Sequence, residues 1–245
     1  MDSDQNLRLR AERQLASELA DALRTQRAVS SACLFGSAAR DEADSGSDLD
    51  LLVVASGDDV RGVRAELKRF ERKGETQIRV MAAHRLRDVF EDRTVFATHL
   101  AREGRVFLDR DGLITALIKD YPKNAPVEED GRALRARLKA YEDLAWCGGR
   151  YLLCLADLHA WGRSGAMLAL GRLGRFEFSR DRLFAALVES YPGLAEAAPT
   201  VEALRPFWLT VRRKRQVSLP FPPDDSHTET ATARDACQAI LSVVP

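Results

Sequence analysis

The eight residues Ser47-Asp48-Leu49-Asp50-Leu51-Leu52-Val53-Val54 constrain this chain more than any other stretch. Aspartate alternates with leucine, and the alternation then runs into four consecutive aliphatic residues, which marks an interior β-strand. Side chains alternate faces along a strand, so Asp48 and Asp50 project together while Leu49 and Leu51 enter the core. Two carboxylates about 6–7 Å apart along a strand repel each other unless a cation sits between them. An unpaired set on an interior strand is costly. Oxygen donors of this kind suit Mg²⁺, which is held by one or two carboxylates together with substrate phosphates.

Upstream, Leu34-Phe35-Gly36-Ser37 reads as the end of an apolar strand running into a tight turn. Glycine lets the backbone approach a ligand closely and adopt positive φ. The Ser37 hydroxyl and the successive N–H groups of such a turn favour an anion. Arg40 adds a planar, bidentate guanidinium nearby. A carboxylate pair suited to a divalent ion thus follows, ten residues on, a turn suited to an anion.

Gly36-Ser37, ten intervening residues and then Asp48-x-Asp50 resembles the signature of the DNA polymerase β-like nucleotidyltransferases. The local text is most similar to small prokaryotic members, the minimal nucleotidyltransferases of toxin–antitoxin pairs and the aminoglycoside nucleotidyltransferases. The resemblance spans roughly residues 28–110. It implies that Asp48 and Asp50 are the catalytic residues and ligate Mg²⁺, as one ion or two. It further implies that Gly36, Ser37, Arg40 and Ser47 bind the nucleotide.

One departure stands out. The family's next strand usually carries a third carboxylate, which completes the metal site and can activate the acceptor hydroxyl. Here that strand reads Glu75-Thr76-Gln77-Ile78-Arg79-Val80-Met81, and alternation puts Gln77 and Arg79 on the side shared with the aspartates. Neither is a general base at neutral pH, and a guanidinium beside Mg²⁺ weakens metal binding. Glu75 reaches the site only with a shift in register; its other reading is a solvated turn residue.

Around this centre the chain reads as α+β. A helix is expected from Leu7 to about Arg24, with apolar residues at 7, 11, 15, 19 and 23. Strands follow at about Val29–Phe35, Asp48–Ala55, over the Gln77 segment and at Arg105–Asp109. A polar loop or short helix fills 38–46. A charged helix runs through Lys73, and another spans about Arg85–Glu103. That alternation suits the mixed sheet with flanking helices of the nucleotidyltransferase fold, placed at residues 1–120. The Pro-bearing polar stretch 121–131 reads as a linker. Residues 128–245 then form an all-α C-terminal helical domain, with a long helix from about Arg132 through Trp161 and a final one over about Ala231–Val243.

The remaining signals are weaker. Arg150 and His159, with eight residues between them, resemble the Arg…His nuclease motif of helical toxin domains only loosely, and read as surface and packing residues. Arg212-Arg213-Lys214-Arg215 reads as a solvated helix end rather than an RNA contact. Four scattered cysteines and four scattered histidines have no metal-ligand spacing, and the cysteines read as buried thiols. Basic and acidic residues number 37 each, so no global field draws the protein to nucleic acid or membrane. No apolar run approaches about 18 residues and the N-terminus has no signal-peptide pattern, which points to a cytoplasmic address.

The expectation is therefore a Mg-dependent nucleotidyltransferase moving NMP, AMP from ATP by default, to a hydroxyl of an RNA, a partner protein or an aminoglycoside-like small molecule. The alternative is a catalytically impaired nucleotide-binding module acting as a regulatory or antitoxin-like partner, for which the carboxylate-free Gln77–Arg79 segment argues.

Overall fold

The computed structural model describes residues 17–42, 47–57, 59–71, 76–142, 150–213 and 226–244. The chain divides into two compact units, Met1–Ala125 and Pro126–Pro245.

The first unit is built on four strands: β1 (Val29–Phe35), β2 (Leu49–Ala55), β3 (Thr76–Ala82) and β4 (Arg105–Asp109). Their order across the sheet is β3-β2-β1-β4. β1 runs antiparallel to both β2 and β4, whereas β2 and β3 are parallel. The parallel pair needs a crossover, and helix α2 (Val60–Leu67) provides it. The aliphatic run of β2 is explained by burial on both faces. Leu49, Leu51 and Val53 pack with Leu19 and Leu23 of α1 (17–25) and with Val63 and Leu67 of α2. Leu52 and Val54 pack on the opposite face. Their neighbours there include Leu86 and Phe90 of α3 (Ala83–Glu91), Leu100 of α4 (Val95–Glu103) and Ile114 of α5 (Leu113–Asp120).

Several helix boundaries differ from the sequence-based reading. The single helix expected over 85–103 is two. Arg93 takes φ 45°, and the Thr94 hydroxyl donates to Val89 O and accepts from Ala97 N at 3.0 Å, capping a new helix. The helix after Gly57 ends sooner than Lys73, with a 3₁₀ turn at Lys68–Phe70; residues 72–75, including Glu75, lie outside the described residues. The N-terminal helix is described only over 17–25, and 43–46 of the loop also fall outside.

The regular elements of the second unit among its described residues are helices: α6 (Arg132–Lys139), α7 (Tyr151–Arg172), α8 (Arg180–Ser190), α9 (Ala197–Ala203), α10 (Arg205–Arg213) and α11 (Ser226–Ser242). The long helix expected over 132–161 breaks after Lys139, and α11 starts five residues before the expected Ala231. α7 is the central element, with helices packed around it. A Cβ at Gly165 would come within 2.6 Å of Leu241 Cδ2, so a small residue is what lets α11 lie against α7. His159 is buried on α7 with Nδ1 3.0 Å from Val201 O, a packing role as expected, while Arg150 is exposed. Arg212 pairs with the buried Asp157, which also accepts from the Tyr141 hydroxyl at 2.8 Å. Arg213 is the last residue of α10, and Lys214 and Arg215 lie outside the described residues. Cys33, Cys154 and Cys237 are buried free thiols, and burial pushes Cys33 and Cys237 up to about 12.

Candidate active site

β1 and β2 meet at one end of the sheet, with Phe35 opposite Asp50. The next residue, Gly36, has φ +75°, a conformation that glycine adopts without steric penalty. It is also the point where the backbone lies against the acid: a Cβ on Gly36 would sit 2.6 Å from Asp50 Oδ2. The chain then closes a single turn. Gly36 O accepts from the amides of Ala39 and Arg40 at 3.1 and 3.2 Å, and Ser37 O accepts from the Glu42 amide at 2.9 Å. The Ser37 and Ala38 amides head that turn, beside Asp50.

Ser47 and Asp48 lie at the foot of β2, exposed by only 1% and 6%. Asp48 Oδ2 itself is sealed from solvent. Asp50 is half-buried as the second residue of β2, so alternation sets both carboxylates on one side of the chain. The parallel register aligns Asp50 with Gln77 and Leu52 with Arg79. Gln77 and Arg79 thus occupy the sheet face of Asp50, as read from the sequence, and β3 over Thr76–Ala82 carries no carboxylate.

Arg40 takes a course that its sequence position does not reveal. Its Nε donates to Glu42 and its Nη1 to Glu103, each at 2.7 Å. Burial opposes its charge, but hydrogen bonding and attraction from Glu42 and Glu103 outweigh that and hold the guanidinium above its ordinary pKa. Asp41, at φ 60°, forms a second tie, to Arg105 at 2.7 Å. The glycine turn is therefore pinned to both sides of Gly104, to the end of α4 and the start of β4.

Sequence reading missed the contribution of α4. Phe96 and His99 set their rings edge-on to Phe35, with centroids 5.3 and 5.5 Å away. His99 Nε2 lies 2.6 Å from Glu103 Oε2. The Arg79 guanidinium carbon stands 4.3 Å over the Phe96 ring. Desolvation of the guanidinium lowers the Arg79 pKa, and the nearby Asp50 partly offsets that. The signal was present in the spacing: residues 96, 99 and 103 recur at i, i+3 and i+7 and share one helix face.

The donor set fits Mg²⁺ in one specific way. Among the described residues no three His, Cys, Asp or Glu side chains gather to cage an ion. Two carboxylates beside a glycine turn suit an ion that takes the rest of its shell from phosphates and water. A cavity of about 380 Å³ lined by Arg87, Phe90, Leu113, Leu117 and Tyr121 lies between α3 and α5, and none of these residues belongs to the site.

Residues 16–95 match the family model described as a nucleotidyltransferase domain. The match runs from α1 through β3 and α3 and stops at the first residue of α4, so Phe96, His99 and Glu103 lie beyond it. No curated protein matches the chain. No helix among the described residues is long and apolar enough to cross a membrane.

Proposed function

We propose, from the premise that residues 16–95 are a nucleotidyltransferase domain, that this protein transfers a nucleoside monophosphate from a nucleoside triphosphate to a hydroxyl-bearing acceptor. ATP is the default donor, and an RNA, a protein or an aminoglycoside-like small molecule is the acceptor. One observation carries this reading: the backbone at Gly36, held at positive φ, lies so close to Asp50 that a Cβ there would sit 2.6 Å from Asp50 Oδ2. That proximity supports the reading because it brings the turn that would bind phosphate beside the strand that would hold the metal.

Asp48 and Asp50 would hold Mg²⁺, which when bound neutralises charge developing on the α-phosphate and on departing pyrophosphate. The chain's own residues do the positioning. The Ser37 hydroxyl and the amides heading the turn bind phosphate oxygens, and the absence of a side chain at Gly36 lets them approach. Buried Ser47 supports the start of β2 beneath Asp48. Arg40, through Glu103, fixes the turn to α4. With Gln77 beside Asp50, no acid on β3 takes the acceptor's proton. Nucleotidyl transfer tolerates this because such reactions depend mainly on positioning and charge neutralisation.

The test is incubation with ATP, CTP, GTP or UTP labelled at the α-phosphate, Mg²⁺ and a mixed pool of RNA, protein and small polyhydroxyl acceptors. Label should enter one acceptor class, and Asp50→Asn should reduce the rate by at least about 100-fold. Nucleotide binding with no label transfer to any acceptor would instead favour the regulatory module.

A further inference from the structure

The two arginines at this site are in opposite electrostatic situations. Arg40 is ion-paired to two carboxylates, Glu42 and Glu103, with side chains of Arg40 and Glu103 only 17% and 10% exposed. Its positive charge is already engaged by these two carboxylates, so an arriving phosphate would have to compete with them. Arg79 forms no ion pair within 4 Å among the described residues. Its charged neighbour is Asp50, and its guanidinium lies on the face of Phe96. Stacking on a ring restricts the side chain and leaves the in-plane N–H donors directed outward, where they match a phosphate edge. The residue is exposed, one pleat along β3 from the Asp50–Gln77 pair and on the same face.

We infer that Arg79, braced by Phe96, is the residue that neutralises and grips the triphosphate of the incoming nucleotide, while Arg40 anchors the turn. The inference rests on the nucleotidyltransferase reading above. Arg79 also changes the order of preference at the site. A positive charge beside Asp50 disfavours a bare divalent cation, while the same charge favours an anion that brings its own metal. The site is thereby set to accept metal and triphosphate together rather than metal first.

This double effect gives the test its discrimination, because one substitution should move two affinities in opposite directions. Binding of MgATP, of AMP and of Mn²⁺ alone is measured on the full-length protein and on Arg79→Gln, Arg79→Lys and Phe96→Leu. Arg79→Gln should weaken MgATP by about 10- to 100-fold, the size of a lost charge-assisted hydrogen bond. AMP should change by less than about threefold, since the loss scales with phosphate charge. Mn²⁺ alone should bind as tightly as before or more tightly. Arg79→Lys should recover part of the MgATP affinity, and Phe96→Leu should fall between wild type and Arg79→Gln. MgATP binding by Arg79→Gln within about twofold of wild type would overturn the inference and leave the nucleotidyltransferase reading intact. Parallel loss of MgATP, AMP and Mn²⁺ would also overturn it, because that pattern marks structural damage. Failure of the wild-type protein to bind MgATP at all would overturn the underlying reading instead.

Discussion

Gly36 carries two constraints at once, a backbone conformation and a contact, and they reinforce each other. An alanine there would adopt positive φ, which costs about 1–2 kcal/mol, and would push its methyl against Asp50 Oδ2. Gly36→Ala should therefore lower stability by about that amount in a urea titration. It should also reduce nucleotide affinity more than the stability change accounts for, because relief of the clash displaces the carboxylate. Glu103 is tied to the glycine turn through Arg40. Glu103→Gln removes the charge on which Arg40 and His99 converge and should cost about 1–3 kcal/mol, read from the same titration. The meeting of the Gly36 turn with Asp50 was legible in the sequence because it is local, a turn and a strand ten residues apart. The partnership of Arg40 with Glu103 was not, because 63 residues separate them and only the fold brings them together.

At the scale of elements, strands were read more accurately than helices. β1 and β4 occupy the ranges that alternation indicates, since each is bounded by a glycine or a charged turn. The helix boundaries depend on events that composition hides. A left-handed Arg93 and a capping Thr94 divide one apolar periodicity into α3 and α4. That division positions α4, which sets Phe96 and His99 against Phe35 and Glu103 against Arg40. In the second unit, α7 buries His159, whose pKa falls from 6.5 to about 4, chiefly through burial, with Arg163, Arg205 and Arg180 adding to the effect. The folded state thus binds a proton less readily than the unfolded chain. Stability from this group is fully present above pH 6.5 and is lost as pH falls from 6.5 toward 4. The full effect is on the order of 3 kcal/mol. Thermal melts between pH 7 and pH 4.5 should show this slope, and His159→Asn should flatten it.

For the whole molecule, the division at Ala125/Pro126 separates a sheet-based unit from a helical one. Residues 122–130 form neither helix nor strand, and Lys123 is exposed within them. Limited trypsin digestion should cut there and give fragments of about the two unit sizes, with the C-terminal fragment retaining helical circular dichroism. Cleavage inside β3 or α7, at Arg79 or Arg163, at comparable rates would contradict that division. The family match covers only part of the first unit, and the second unit has no counterpart in it. An acceptor-recognition role for the helical unit accordingly draws no support from the match, and the acceptor has to be found by experiment.

The central claim is that Asp48, Asp50 and the Gly36 turn together present a metal-bound triphosphate for attack at its α-phosphate. Parallel reactions with ATP labelled at the α- or the γ-phosphate, with and without Mg²⁺, test it most directly. The expected result is Mg²⁺-dependent entry of the α-label into acceptor, release of the γ-label as pyrophosphate, and loss of both signals in Asp48→Asn/Asp50→Asn. Transfer of the γ-label to acceptor, or α-label transfer that persists in the double variant, would contradict it.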